Sequence, residues 1–307
     1  MIGVIGSGAF GTALAIAEAE GGQDVTLWGR NVDWARENPR LPGVTLPGKL
    51  RTTSDLGDLK TAKALLLVLP AQQTSGFLAE NGETLPNVPL ILCAKGLETG
   101  TGRMQSQIAA DLPNPLAVLT GPGFAGEIAR GLPTALTLAG GDKALQERLS
   151  TPRLRLYRSD DMTGAQLGGA LKNVTAIACG LTAGAGLGES ARAAVMTRGF
   201  AEIRRLALAM GAQEETLMGL SGLGDLALTA ASRASRNFDL GWRRATGEAD
   251  GNNTVEGVAT AEAALLLGKE YGVDLPLAAA VTDVLKGALP LDAAMQELLS
   301  RPLKAEE

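Results

Sequence analysis

Through the first half of the chain, short apolar runs recur between stretches of helical character: residues 1–5, 25–28, 64–69, 90–94, 117–119 and 135–138. Strands alternating with helices predict a parallel sheet covered on both faces. The run ALLLVLP is continuous rather than alternating, as expected of a central strand buried on both sides. Pro70 marks its carboxyl end, where such sheets open their ligand crevice. After about residue 155 the strand signal ends, and long Ala/Leu/Gly-rich stretches follow at 160–181, 190–210, 254–271 and 276–286. The pattern predicts a doubly wound α/β domain with a mostly parallel sheet over 1–155 and an all-α domain over 156–307. The closing RPLKAEE is polar and reads as a frayed tail.

A chain of 307 residues, 45% hydrophobic, is long enough for its core to divide in two, which agrees with that split. The formal net charge of −5 offers no general basic surface, so nucleic acid and anionic membrane are not expected partners, and an anionic ligand needs a local cationic cluster. No run approaches the ~18 apolar residues of a membrane span. Met1 leads directly into the first apolar run without a secretory n-region, so a cytoplasmic protein is expected. Cys93 and Cys179 lie inside apolar runs and read as small buried side chains. The chain has no histidine, which removes the commonest general acid and the commonest metal ligand together. Proton transfer must therefore use Lys, Asp, Glu, Tyr or Cys, and no metal site is expected.

Gly6, Gly8 and Gly11 form G-S-G-A-F-G directly after the first apolar run and directly before the helical TALAIAEAE. In that strand–turn–helix setting the three glycines are those of a Rossmann dinucleotide fingerprint: one for the tight turn, one for close approach of the pyrophosphate, one for packing the helix on the strand. The pyrophosphate then sits on backbone N–H groups at the helix N-terminus. NAD specificity usually comes from an acid about 20 residues further on. Here that stretch is LWGRN, and Arg30 in place of an acid favours a 2′-phosphate, hence NADP(H), with NAD(H) still possible.

Lys172 lies in GAQLGGALKNVTAIACG, where its neighbours at three and four residues are Gly168, Gly169, Thr175 and Ala176. No carboxylate on its own helix can pair with it, so a ligand or another segment must. The small residues around it leave room for such an approach. Hydride addition to a carbonyl builds negative charge on oxygen, which an ammonium can stabilise and protonate, making Lys172 the candidate acid. Acting in reverse as a base, it needs its pKa lowered by desolvation or by a second cation. Lys95, in CAKGLET at a strand's carboxyl end, is a candidate for that cation. Further on, GLGDLALTAASRASRN carries Asp225, which can orient or neutralise the lysines, and Arg236 with Asn237, which can grip a phosphate through charge-assisted hydrogen bonds.

With these residues in place, the chain resembles the NAD(P)-dependent glycerol-3-phosphate dehydrogenases over nearly its whole length, through GSGAFGTALA, LWGRN, VLPAQ, AKGLE, TGPGFAGEIARGLPTA, QLGGALKNV, TRGFAEIRRLA, GLSGLGDLALT, SRN and VEG. The resemblance implies interconversion of glycerol 3-phosphate and dihydroxyacetone phosphate, the former a phospholipid precursor, in a cleft between a Rossmann and a helical domain. It implies a homodimer. Lys172 matches the catalytic lysine, with Lys95, Asp225 and Thr229 beside the reacting carbons. Ser235, Arg236 and Asn237 match the substrate-phosphate segment, and Gly121 and Gly123 the substrate loop. Ala9, Phe10, Pro70, Lys95, Ala125, Arg236, Thr254 and Glu256 fall where the cofactor is contacted, Glu256 at its nicotinamide end. Three positions depart from the family: Gly123 where a hydroxyl or other side chain is frequent, Phe10 for a frequent Trp or Tyr, and a short stretch between Arg30 and Thr53. The rival readings are a ketopantoate reductase, a β-hydroxyacid dehydrogenase and a non-catalytic NAD(P)H-binding sensor. The reductases would not need the SRN pair for a phosphate, and the sensor would leave Lys172 without a role.

Overall fold

The computed structural model describes residues 1–34, 37–249 and 256–302. Contacts divide the chain into two units: one of Met1–Lys95 with Gln105–Met162, the other of Gly96–Met104 with the chain from Thr163 onward.

The first unit holds eight strands, β1 (Ile2–Ile5), β2 (Val25–Trp28), β3 (Leu50–Thr53), β4 (Ala64–Leu67), β5 (Leu90–Leu92), β6 (Leu116–Thr120), β7 (Thr134–Ala139) and β8 (Leu154–Ser159). They form one sheet in the order β3-β2-β1-β4-β5-β6-β7-β8. Every pair is parallel except β6 with β7, where Val118, Leu119 and Thr120 face Ala139, Leu138 and Thr137. The doubly wound, mostly parallel sheet is thus as expected. Strands β1, β2 and β4 are buried at every position, and apolar but for Thr26, because helices cover both faces. Two strands carried no readable signal. β3 (LRTT) buries only Leu50, and β8 alternates buried Leu154 and Leu156 with exposed Arg155 and Tyr157. Both are edge strands, and β8 carries the sheet past residue 155 to Ser159.

Helices α1 (Ala9–Glu20), α2 (Ala71–Asn81), α3 (Gln105–Ile108), α4 (Ala125–Ala129) and α5 (Lys143–Leu149) complete this unit. Alternate alanines in α1 let it lie close to the sheet, and its buried face joins β1, β2 and β4 in one core with Leu14, Ile16, Leu27 and Leu66.

The regular elements described in the second unit are all helices: α6 (Met162–Gly184), α7 (Gly188–Ala209), α8 (Glu214–Met218), α9 (Asp225–Thr229), α10 (Arg236–Thr246), α11 (Glu256–Tyr271), α12 (Pro276–Lys286) and α13 (Leu291–Leu299). Helix α6 is its centre. From Gly164 to Thr182 every residue is buried, the signature of a helix wrapped on all sides. Glycine makes the wrapping possible. A Cβ on Gly180 of α6 would stand 2.0 Å from the Phe238 carbonyl oxygen, and one on Gly241 of α10 would stand 2.1 Å from that of Ile177. Gly199 of α7 leaves space for Thr175, and Gly257 of α11 for Asn237 and Ile177. A single π-helical turn, Leu220–Gly224, lays its backbone against Gly168. The small residues flanking Lys172 thus admit neighbouring segments of the chain itself.

Helix α12 has no capping side chain of its own. Glu202 of α7 supplies one, its carboxylate accepting from the N–H groups of Leu277 at 2.6 Å and Ala278 at 3.2 Å. Residues 303–307 of the expected tail lie outside the described residues. Arg301, which precedes them, is ion-paired with Asp274.

Candidate active site

In the first unit the glycine turn has the geometry its sequence promised. Gly6 has φ of +121°, a conformation open to glycine, and a Cβ there would meet the Val68 carbonyl oxygen at 2.4 Å. Gly11 brings α1 onto the turn, since a Cβ there would sit 2.0 Å from the Gly6 oxygen. Gly8 is the N-cap of α1, and a Cβ on it would meet nothing within 4 Å. An open backbone surface at the N-terminus of a twelve-residue helix without acidic residues in its first turn fits a dinucleotide pyrophosphate.

The surrounding residues fix this turn. Asn38, 1% exposed, donates through Nδ2 to the Ser7 carbonyl oxygen at 3.0 Å and to Thr12 Oγ1 at 2.6 Å. Gly29 leaves room for the Ser7 hydroxyl at the end of β2. Nothing in the sequence marked Asn38: it stands in the short stretch after Arg30 that looked merely truncated, and its value lies in reaching back across the fold. Arg30 itself is exposed, its guanidinium donating to Gln73 Oε1 of α2 at 3.4 Å. Pro70 is the N-cap of α2, and Ala9, Phe10 and Ala125 pack on the margin of the same core.

At the carboxyl end of β5, Lys95 donates to the Gly121 carbonyl oxygen at 2.7 Å and lies 5.6 Å from the centre of the Phe10 ring. Gly121 has φ of +139°, and a Cβ would press on the Leu136 backbone at 3.2 Å. At Gly123 a side chain would meet Ile128 Cδ1 at 3.0 Å, so in this chain Ile128 fills the space a hydroxyl would need.

The second unit answers the question raised by Lys172. The ammonium, on a residue 5% exposed, donates to Asp225 Oδ1 at 3.0 Å and to Thr229 Oγ1 at 2.5 Å. Asp225 and Thr229 are the first and last residues of α9, four apart and so on one helix face, which the π-helical turn aims at α6. A buried cation is thereby paired and hydrogen-bonded, as its burial demands.

Asn237 does more than expected. Its Nδ2 donates to Asn173 Oδ1 at 2.9 Å and its Oδ1 accepts from Gly257 N at 3.1 Å, tying α10 to α6 beside Lys172 and to the start of α11 beside Glu256. Ser235 is the N-cap of α10, its hydroxyl accepting from Phe238 N. Arg236 is exposed at the first position of that helix. Thr254 lies outside the described residues. Among the described residues no cluster of side chains fit to hold a metal occurs, and no helix is long and apolar enough to cross a membrane.

A glycine turn at the head of a Rossmann-ordered sheet, joined in one chain to a helical unit with a buried, carboxylate-paired lysine, defines the class: the dinucleotide-dependent oxidoreductases built from a sheet domain and a helical domain. Comparison with known proteins narrows it. The sequence models of the NAD-dependent glycerol-3-phosphate dehydrogenase N-terminus and C-terminus match residues 1–146 and 161–296. The glycerol-3-phosphate dehydrogenase (NAD(P)+) of Paracoccus denitrificans strain Pd 1222 is 53% identical over 99% of each chain. That of Cereibacter sphaeroides is 52% identical over 100% of each. The crystal structure of glycerol-3-phosphate dehydrogenase from Coxiella burnetii is 35% identical, covers 98% of each chain and superposes with a TM-score of 0.92. The chain belongs to the NAD-dependent glycerol-3-phosphate dehydrogenase family.

Proposed function

We propose that the protein interconverts sn-glycerol 3-phosphate and dihydroxyacetone phosphate with NADP(H), and less readily NAD(H), yielding a phospholipid precursor. The observation that carries this reading is the pairing of buried Lys172 with Asp225 and Thr229 in a family whose members are glycerol-3-phosphate dehydrogenases. Gly6, Gly8, Ala9, Phe10 and Gly11 hold the pyrophosphate, Arg30 the adenosine 2′-phosphate, and Pro70, Ala125, Thr254 and Glu256 the remainder of the cofactor. Bound there, the nicotinamide supplies the hydride that forms the new C–H bond at C2 of dihydroxyacetone phosphate.

As that bond forms, the C2 oxygen gains negative charge. Lys172 Nζ stabilises it and gives up a proton to make the hydroxyl, and in the reverse direction takes that proton back. Asp225 and Thr229 fix the direction of the Nζ donors, and Lys95, with Gly121 and Gly123 in the loop beside it, supports the oxygen electrostatically. Arg236 holds the substrate phosphate. Asn237 spends one N–H on Asn173 and keeps the other for the phosphate, with the Ser235 hydroxyl beside it. Grip on a phosphate remote from the reacting carbon converts binding into orientation. We place the enzyme in the cytoplasm, a setting its two buried free cysteines suit, and as a homodimer, which light scattering on the purified protein tests.

The decisive assay is oxidation of NADPH and NADH with dihydroxyacetone phosphate, using dihydroxyacetone as the phosphate-free control and Lys172→Ala as the variant. Turnover is expected to require the phosphate and to vanish in Lys172→Ala while cofactor binding persists. Tight cofactor binding without turnover of this substrate in the wild type would overturn the assignment.

A further inference from the structure

We propose that Phe10 is a positioning residue for Lys95, its aromatic face holding the ammonium over the carboxyl ends of the strands by a cation–π contact. The inference rests on the reading of Lys95 as a substrate-supporting cation.

Lys95 follows β5, and Phe10 sits in the first turn of α1 after β1; β4 lies between those two strands in the sheet. The ammonium bridges that gap. On one side it donates to the carbonyl oxygen of Gly121, and on the other it lies 5.6 Å from the Phe10 ring centre, within the range of an attractive cation–π contact. The carbonyl fixes one direction of a flexible four-carbon side chain, and the ring supplies another. The carbonyl and the ring are both neutral, so neither of these two contacts offsets the charge of the ammonium. The ring's own position is set by the nucleotide turn, because Phe10 lies two residues beyond Gly8 and packs on the margin of the sheet's core. The turn that receives the cofactor thus also places a cation for the substrate. Phe10 thereby acquires a role for its ring that the backbone contacts of a nucleotide loop do not require.

Any apolar side chain would fill the space, so the test must change the ring's electrostatics and leave its shape alone. Site-specific replacement of Phe10 by mono-, tri- and pentafluorophenylalanine weakens the negative face stepwise. The expected result is a stepwise fall in kcat/KM for dihydroxyacetone phosphate, reaching roughly tenfold for the pentafluoro ring and exceeding any accompanying change in NADPH affinity. In a Lys95→Met background the same series is expected to be flat. A flat series in the wild-type background, with Lys95→Met itself strongly impaired, overturns the role of the ring and leaves that of Lys95 standing. An unimpaired Lys95→Met overturns the assignment of Lys95, and the inference with it.

Discussion

At the scale of single residues, the buried Lys172–Asp225 pair makes opposite demands on activity and stability. Lys172→Met removes the proposed proton donor and also takes the ammonium away from a carboxylate, Asp225, that is 1% exposed. Expected are loss of turnover by about 10²–10⁴ and destabilisation by about 3 kcal/mol, read by steady-state assay and urea unfolding. Lys172→Met/Asp225→Asn, whose amide can be buried neutral, regains part of the stability and none of the activity. A single variant as stable as wild type would mean that the pair is not desolvated as the structure shows. Arg30 offers a cleaner separation. Arg30→Ala is expected to raise KM for NADPH about tenfold and leave that for NADH nearly unchanged, because only the former carries the phosphate a guanidinium reads. Equal effects on both cofactors would reduce Arg30 to a general surface contact.

This is also the scale at which the sequence was most legible for chemistry and least for support. Lys172 stood out because its helix offered no carboxylate at three or four residues, a strictly local argument. Its partner comes from 53 positions later, a distance local reasoning bridges only as a guess. Asn38 and Asn173 were invisible, since an asparagine acquires its role from the groups that the fold brings to its amide.

At the scale of elements, the glycines of α6 and α10 are a packing requirement. Gly241→Ala drives a methyl group to 2.1 Å from the Ile177 oxygen and 2.7 Å from the Leu181 nitrogen, both backbone atoms that cannot turn aside. A loss of about 3 kcal/mol is expected, visible as a lower urea midpoint, whereas Gly76→Ala on α2, with nothing within 4 Å, is expected to change stability little. Equal behaviour of the two variants would show that α10 can move away from α6. The central strands and the long helices were readable because burial on both faces, or all round, writes an unbroken apolar run. β3 and β8 were not, because an edge strand needs few apolar positions, and the four residues of β3 carry a single apolar side chain. The short α9, and the π-helical turn that aims it, are too brief for any period to show.

At the scale of the whole molecule, two buried carboxyls tie stability to pH. Burial pushes Glu18 of α1 up to about 8. Burial likewise raises Glu202 to about 7, against the lowering influence of the two N–H groups it caps. In the unfolded chain both titrate near 4.5. Below that value native and unfolded states are equally protonated and neither group affects the balance. Between it and the raised values the unfolded chain has lost protons that the native state keeps, so stability falls as pH rises. Above about 8 the cost is complete, roughly 3–5 kcal/mol for Glu18. Urea unfolding at pH 5 and pH 8.5 is expected to show the wild type markedly weaker at the higher pH, and Glu18→Gln to flatten the slope. Identical slopes in the two proteins would remove Glu18 from the account.

The glycine collar around α6 has an evolutionary corollary. A catalytic group on a mobile loop can be re-aimed by small changes in the loop, but Lys172 stands on the segment whose amide protons ought to exchange with solvent last, opening only when the whole helical unit does. Its direction is therefore not a variable that single mutations can explore. Innovation in this lineage has to proceed at the margins, through positions such as 10, 30 and 123, while the axis that carries Lys172 stays fixed.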